Sequence, residues 1–347
     1  MAEFHLECPI PLPADTVQMA HGGGGRVMRN LIESLLVPAF ANPALDARHD
    51  AALLDLGGAR LAFTTDSFVV SPRAFPGGDI GELAVYGTVN DLVCGGALPR
   101  FLSCAFILEE GLPLAELATH VASMQCAALR CGVDIVTGDI KVVDRGRGDG
   151  VYINTAGIGL VPQGRQVGPR QVRPGDAILV SGDLGRHGVA VLSVREGLAF
   201  AAPVQSDCAP VHHLAEALWA AGIDVHCLRD PTRGGLGAVL NEIALDSGLA
   251  LEVRERDIPI AAAVAAACEL LGLDPLHVAC EGRLVAFVPG PQAETALAAL
   301  HRLPDGEAAA IIGKVLESGQ VPVTLRTRLG TDRILDLPTG EQLPRIC

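Results

Sequence analysis

Two largely apolar runs, Ala51 to Leu56 and Ala59 to Thr65, are separated only by Gly57-Gly58. No other feature of the chain restricts its fold so sharply. A two-residue glycine link between apolar runs favours turns with positive φ, which fold the chain back as a β-hairpin. The two strands then run antiparallel. Asp50 stands just before the first, and Asp66 ends the second in Phe63-Thr64-Thr65-Asp66-Ser67. In-register pairing brings these two carboxylates close at the open end. Two ordinary turn aspartates would read the same way, so the pair gains meaning only from its company.

That company begins upstream. His21-Gly22-Gly23-Gly24-Gly25-Arg26 runs straight into an amphipathic helix predicted over Val27 to Val37. Four glycines are entropically poor in a helix interior. They suit a backbone that approaches an anion closely at a helix start, or else a flexible connection. No Walker loop and no G-x-G-x-x-G fingerprint occurs. Downstream, Phe75-Pro76-Gly77-Gly78-Asp79-Ile80-Gly81 predicts a rigid turn, with Asp79 opening a helix that runs to about Val93. Asn90 and Asp91 fall on this mostly apolar helix. A buried-looking acid needs a partner, either a metal or a capping hydrogen bond.

The pattern then predicts a strand over Arg100 to Glu109, a helix over Leu114 to Arg130, and strands over Val133 to Val143 and Val151 to Leu160. Asp139 and Lys141 are two residues apart on the second of these strands and share one face. They form a surface ion pair or hold a metal and a phosphate. After the polar, glycine-rich stretch Pro162 to Pro174, the α/β style resumes. A strand at Ala177 to Ser181 enters the loop Gly182 to Gly188, which leads into a helix. Asp230-Pro231-Thr232-Arg233-Gly234-Gly235 opens a helix predicted over Ala238 to Ser247, and Cys280-Glu281-Gly282-Arg283 precedes a strand over Leu284 to Val288. Arginine forks and helix N-termini both favour phosphate. Strands over Ala308 to Val315 and Val321 to Arg326 close this half.

The chain ends in Pro344-Arg345-Ile346-Cys347. Such a tail is a frayed end or a reagent, since an exposed thiol is a usable nucleophile and carrier. From Leu337 to Cys347 an extended chain spans up to about 36 Å, enough to reach a site on its own body or on a partner.

Composition narrows the partners. The net charge of −14 disfavours nucleic acid and anionic membranes as main partners, so an anionic ligand needs local help. The ten cysteines include no C-x-x-C pair, which disfavours a structural zinc. Neither a signal peptide nor a membrane-length apolar run is evident, and a soluble cytoplasmic protein is expected. Asp50, Asp66, Asp91, Asp139 and Asp230, with the glycine loop and Lys141, then suggest an ATP–Mg2+ site without a P-loop, because magnesium takes carboxylates plus substrate phosphates.

The motifs His21-Gly-Gly-Gly-Gly, Thr65-Asp-Ser-Phe-Val-Val, Phe75-Pro-Gly-Gly-Asp-Ile-Gly, Asn90-Asp-Leu, Thr137-Gly-Asp-Ile-Lys-Val-Val, Asp230-Pro-Thr-Arg-Gly-Gly, Glu281-Gly and the terminal Pro-Arg-Ile-Cys together resemble the HypE family of hydrogenase maturation proteins. That family lies in the superfamily of aminoimidazole ribonucleotide synthetase and selenophosphate synthetase. The resemblance runs from about residue 18 to the end. It implies an α/β (α+β), two-domain PurM-like fold: an extension over 1–17, an ATP-binding and dimerisation domain over 18–163 whose sheet pairs across a homodimer, a larger C-terminal α/β domain over 164–336, and a mobile tail over 337–347.

The resemblance also implies chemistry. A partner carbamoyltransferase, HypF, would carbamoylate Cys347, and ATP would phosphorylate the carboxamide oxygen. Loss of phosphate would leave a thiocyanate, the source of cyanide ligands for the iron of nickel–iron hydrogenase, delivered through a HypC–HypD complex. By residue, Asp50, Asp66, Asp91 and Asp230 match the metal-binding acids. Gly22, Gly23, Gly24, Gly25, Asn90, Asp139, Lys141, Arg233, Gly234 and Gly235 are expected around the nucleotide. Cys347, Glu281 as base and Lys141 are expected to carry the reaction. The chain departs from the family pattern at Cys280, where asparagine is expected, and at Arg283, where lysine is expected. Two other readings remain in view: an ATP-dependent small-molecule ligase or kinase, and a nucleotide-gated carrier without turnover.

Overall fold

The structure, a computed structural model, describes residues 16–198, 204–338 and 343–347. Nearly all of the expected extension, 1–17, and residues 339–342 of the expected tail lie outside the described residues.

The glycine hairpin forms as its sequence dictates. Strands β1 (Ala52–Leu56) and β2 (Ala59–Phe68) pair antiparallel, with Ala52 opposite Phe63 and Leu56 opposite Ala59. Gly57 and Gly58 have φ of 58° and 91°, which side chains with a Cβ rarely adopt. Helix α1 (Ile80–Cys94) follows. Asp79 caps it, its carboxylate accepting from the Gly81 and Glu82 N–H groups at 2.9 Å each. The other carboxylate oxygen accepts from Ser123 at 2.7 Å and contacts His120 Nδ1 at 3.0 Å. Asp79→Ala removes the cap and strands two polar partners, so we expect a stability loss of about 1–2 kcal/mol, read by urea unfolding.

β3 (Leu98–Glu109), α2 (Leu114–Cys131), β4 (Asp134–Val143) and β5 (Val151–Leu160) complete a five-stranded sheet of order β1-β2-β5-β3-β4. β4 is one continuous strand through Gly138, paired parallel to β3 at the sheet edge. Almost all its residues are exposed, Ile135, Val136, Ile140 and Val142 included. α1 is buried nearly all round, because it lies between this sheet and the second half of the chain, and so it shows no polar face.

From residue 176 a second, seven-stranded sheet forms. It is built from β6 (Asp176–Val180), β7 (Cys227–Arg229), β8 (Ala250–Arg254), β9 (Val285–Pro289), β10 (Ala310–Leu316), β11 (Val323–Arg326) and β12 (Asp332–Ile334), in the order β12-β11-β8-β10-β6-β9-β7. Among the described residues of this sheet, only β8 and β11 pair in parallel. Helices α3 (Arg186–Arg195), α4 (His212–Ala220), α5 (Gly235–Ser247), α6 (Ala262–Leu271) and α7 (Ala293–Leu300) accompany it. α5 begins at Gly235, three residues before the predicted start, since Gly234 caps it at φ +77°. One hydrophobic core runs from Phe68 and α1 through α3 and α4 to Leu343 and Ile346. The two halves are therefore packed together, and what lies between them is held in place.

Candidate active site

Between the halves lies a cavity of about 220 Å3. The hairpin delivers Asp50, Thr64 and Asp66 to it, and the C-terminal end of α1 delivers Asp91. The turn after β7 adds Asp230, Thr232 and Arg233, the loop before β9 adds Glu281, and the chain terminus adds Cys347. The four acids expected to bind metal are thus brought to one place, with Glu281 and Cys347 beside them. Thr64 ties two of the parts together, its hydroxyl lying 2.9 Å from Asp91 Oδ2 and 2.8 Å from the Asp50 carbonyl.

Six side-chain carboxylates, Glu242 among them, face two arginines here. Arg229 pairs with Asp50 at 2.8 Å and with Glu242 at 2.7 Å. Arg233 is held charged chiefly by Cys347, then by Asp66 and Glu281. The imbalance shows in the acids. Burial, then Asp230, Asp50 and Asp66, pushes the Asp91 carboxyl far above its usual range. Burial, then Asp230, Asp66 and Asp207, does the same to Glu281. Burial lifts Asp50 to about 8 against the pull of Arg229, and Asp230 to about 6. Asp66 is raised too, again by burial first.

Buried oxygens Oδ2 of Asp50 and Oε1 of Glu281 have no hydrogen-bond partner among the described residues. Crowded, desolvated, under-satisfied carboxylates are costly, and a hard divalent cation with oxygen ligands satisfies them. The donor set therefore fits such an ion, which Asp50, Asp66, Asp91 and Asp230 would hold. One soft atom is close by: Cys94 Sγ and carboxylate oxygens of Asp50 and Asp230 lie within 4.8 Å of one another. The same crowding makes a prediction. In metal-free buffer, Asp91→Asn relieves the site of a carboxyl whose ionised form burial and three neighbouring acids disfavour, and raises stability by on the order of 1–3 kcal/mol, measured by chemical denaturation.

The glycine loop meets this site from the outside. Gly24 lines the cavity at φ +73°, and a Cβ there would stand 2.7 Å from the Arg233 carbonyl oxygen, so the loop can rest on the 232–235 turn only as glycine. Arg233 reaches back to the Gly22 carbonyl at 3.3 Å. Gly25 lines an adjoining cavity of about 170 Å3 that shares Gly24, Asp50 and Arg229 with the first. Gly22 and Gly23 line neither cavity. Gly234 and Gly235 form the entry to α5 beside Arg233.

Asp139, Lys141 and Asn90, like Gly22 and Gly23, do not line the cavity within one chain. Asp139 and Lys141 pair with each other at 2.5 Å, well exposed on the edge strand β4. The strand period placed them on one face, but parallel pairing to β3 sets that face opposite residues such as Ala105 and Ile107, not at the cavity. Asn90 is buried and bonded at both ends of its amide. Its Nδ2 donates to the Ala209 carbonyl at 3.1 Å, and its Oδ1 accepts from Val211 N–H at 2.9 Å. Its amide therefore joins the two halves and braces the segment beside Glu281.

The family departures have local explanations. Cys280 is buried, its sulfur accepting from Gly185 N–H at 3.1 Å. Arg283 turns away from the cavity to Asp183, at 2.8 Å. Arg229 and Thr232, both part of the sequence run around Asp230, line the cavity, whereas Thr64 and Cys94 are site residues that the sequence reading gave no role.

The last residues are docked. Val69 N–H donates to Cys347 O at 3.0 Å, and Ser71 N–H to Arg345 O at 3.2 Å. Ile346 inserts into the core.

Comparison with known proteins agrees with this geometry. Residues 48–161 match the AIR synthase related protein N-terminal domain, and residues 173–326 match its C-terminal domain. The chain is 52% identical to carbamoyl dehydratase HypE of Azotobacter vinelandii over 338 residues, 97% of this chain and 99% of that protein. It resembles the crystal structure of a HypE–HypF complex, with a TM-score of 0.84, 47% identity, and coverage of 89% of this chain and 99% of that one. It likewise resembles hydrogenase maturation protein HypE in complex with ATP, with a TM-score of 0.81, 50% identity, and coverage of 96% and 100%. Agreement of this depth along nearly the whole length means that the chain belongs to the HypE family of carbamoyl dehydratases, on the two-domain AIR-synthase-related fold.

Proposed function

We propose that this chain dehydrates an S-carboxamide on its own Cys347 to a thiocyanate at the expense of ATP, supplying cyanide for the iron of nickel–iron hydrogenase. The observation that carries the reading is that the terminal cysteine lies in the same cavity as Glu281 and the acid cluster. A small-molecule ligase would have no use for its own terminus there.

The atoms balance simply. HypF first places a carbamoyl group on the Cys347 sulfur. The amide oxygen, a poor leaving group, attacks the γ-phosphorus of ATP and ADP departs. Two protons leave the amide nitrogen, the C–O bond breaks, and the oxygen departs as inorganic phosphate, leaving S–C≡N. Glu281 is the proposed base. A carboxyl held above its usual range by burial is a stronger base once ionised. Arg233, next to Cys347 and at the entry to α5, is placed to draw phosphoryl charge, as is the Gly24–Gly25 main chain. A magnesium ion on Asp50, Asp66, Asp91 and Asp230 would neutralise phosphate oxygens and relieve the like-charge pressure of Asp66 and Asp230 on Glu281.

The proposed domains are 18–163 for nucleotide binding and dimerisation and 164–336 for the second half. The exposed apolar edge strand β4 supports a homodimer, because a bare strand edge is a liability unless paired. In that assembly Lys141 and Asp139 would serve the partner protomer's cavity. HypF and HypC–HypD are the proposed protein partners, in the cytoplasm. No helix among the described residues is long and apolar enough to cross a membrane. The deciding experiment is mass spectrometry of the C-terminal peptide after incubation with HypF, carbamoyl phosphate, magnesium and ATP. Successive gain of a carbamoyl group and loss of water at Cys347 is expected. A carbamoylated peptide that never loses water, with ATP consumed or not, would overturn the reading.

A further inference from the structure

The tail is gripped by its main chain. Arg195 donates to the carbonyls of Pro344 at 2.5 Å and Arg345 at 2.7 Å, and its Nε donates to the Ser71 carbonyl at 2.8 Å. Arg345 donates to the Val69 carbonyl at 3.1 Å and pairs with Asp149. At the centre is His187, at the first turn of α3 and fully buried. Its Nε2 lies 2.7 Å from the Ile346 carbonyl oxygen, and its Nδ1 lies 2.9 Å from Ser206 Oγ.

The chemistry of the partners sets every proton in this relay. A carbonyl only accepts, so His187 Nε2 carries the hydrogen. Burial, the largest influence on this ring, favours the neutral form, so Nδ1 is then an acceptor. Ser206 Oγ accepts from Cys208 N–H at 3.0 Å, and its own hydroxyl is free to donate to Nδ1. The result is a one-directional chain: Cys208 N–H to Ser206 O–H, to His187, to the carbonyl of Ile346. It ends one residue before the cysteine, whose own main-chain oxygen is fixed by Val69. Neither contact uses the Cys347 side chain.

We propose that His187, oriented by Ser206, is the positioning residue that sets the register of the docked tail and so presents Cys347 to the cavity. The ligand of this subsite is the peptide main chain of the C-terminus. A slip of one residue turns the neighbouring carbonyl away and leaves His187 Nε2–H buried without an acceptor, which penalises the adjacent registers. The proposal deepens the functional reading above, but its first test does not depend on it.

That test is the rate at which iodoacetamide alkylates Cys347, followed by mass spectrometry of the C-terminal peptide. It needs neither partner nor nucleotide. His187→Ala is expected to speed alkylation by about five- to tenfold, the size of one lost buried hydrogen bond. His187→Gln, which offers an amide N–H to Ile346 and an oxygen to Ser206, is expected to restore a rate within about twofold of the parent. Should His187→Ala fail to fold, Ser206→Ala serves in its place, with a smaller rise of about two- to threefold, since only the orientation of the ring is lost. An unchanged rate in the folded variant, or no rescue by glutamine, overturns the proposal. A second arm measures a single turnover of the carbamoylated protein. Slower dehydration in His187→Ala, with carbamoylation by HypF undiminished, supports positioning; equal dehydration overturns it. If the parent chain itself does not dehydrate, the functional reading fails while the alkylation result still decides the role of His187.

Discussion

Cys347→Ser is expected to leave the chain folded with its tail docked, and to abolish the reaction completely. The tail is held by the carbonyls of Pro344, Arg345 and Ile346, by Cys347 O and by the Arg345 side chain, none of which the substitution changes. What changes is the nucleophile. A thiol ionises near neutral pH and its sulfur carries an acyl group readily, whereas a serine hydroxyl has neither property without an adjacent base. The cavity already uses its acids on one another and on two arginines. The serine variant, given HypF, carbamoyl phosphate and ATP, should therefore gain no carbamoyl mass and release no phosphate above background. Three of the other cysteines make poor substitutes. Cys94, Cys227 and Cys280 are buried, and burial pushes each thiol upward, away from the reactive thiolate. Carbamoylation and dehydration at any other position in the variant would sink the tail-as-substrate reading.

What could be seen in advance follows from which features are local. The hairpin was legible because a two-residue link between apolar runs admits few turn types, and glycine supplies the positive φ they require. The Asp79 cap was legible because a cap and its helix are adjacent in sequence. The convergence of Asp50, Asp66, Asp91 and Asp230 was legible in outline, since each sits at the end of an element that faces a phosphate-type loop. What was not legible is non-local. Strand alternation correctly put Asp139 and Lys141 on one face, but which face meets the cavity depends on β4 being the outermost strand. Asn90 reads as a polar ligand on an apolar helix until the second half closes over it and takes both ends of its amide. The helices Ala262–Leu271 and Ala293–Leu300 are alanine-rich, and small side chains blur the apolar stripe that would announce them. His187 could not be assigned a role, because its partner Ile346 is 159 residues away and contributes only a carbonyl.

Glu281→Gln carries the other large expectation: dehydration of the carbamoylated tail slowed by about 10²- to 10⁴-fold, with carbamoylation by HypF intact. The substitution keeps shape and removes one charge, so it separates proton transfer from packing. The backbone here is over-determined. The Glu281 carbonyl accepts from Ala209 N–H at 3.3 Å, Cys280 N–H donates to the Pro231 carbonyl at 2.9 Å, and a Cβ at Gly282 would stand 1.8 Å from the Asp207 carbonyl oxygen. A loop held this way keeps the glutamine where the glutamate was. The variant should also be no less stable than the parent in metal-free buffer, because burial and the neighbouring acids Asp230, Asp66 and Asp207 already disfavour the carboxylate. The sign of the pH dependence follows. A base must be ionised to act, so the parent's single-turnover rate should rise with pH until Glu281 is deprotonated, and this rise should vanish in the glutamine variant. A rate within about tenfold of the parent, or an unaltered pH limb, would assign the base elsewhere and leave Glu281 as a structural acid that completes the charge of the cavity.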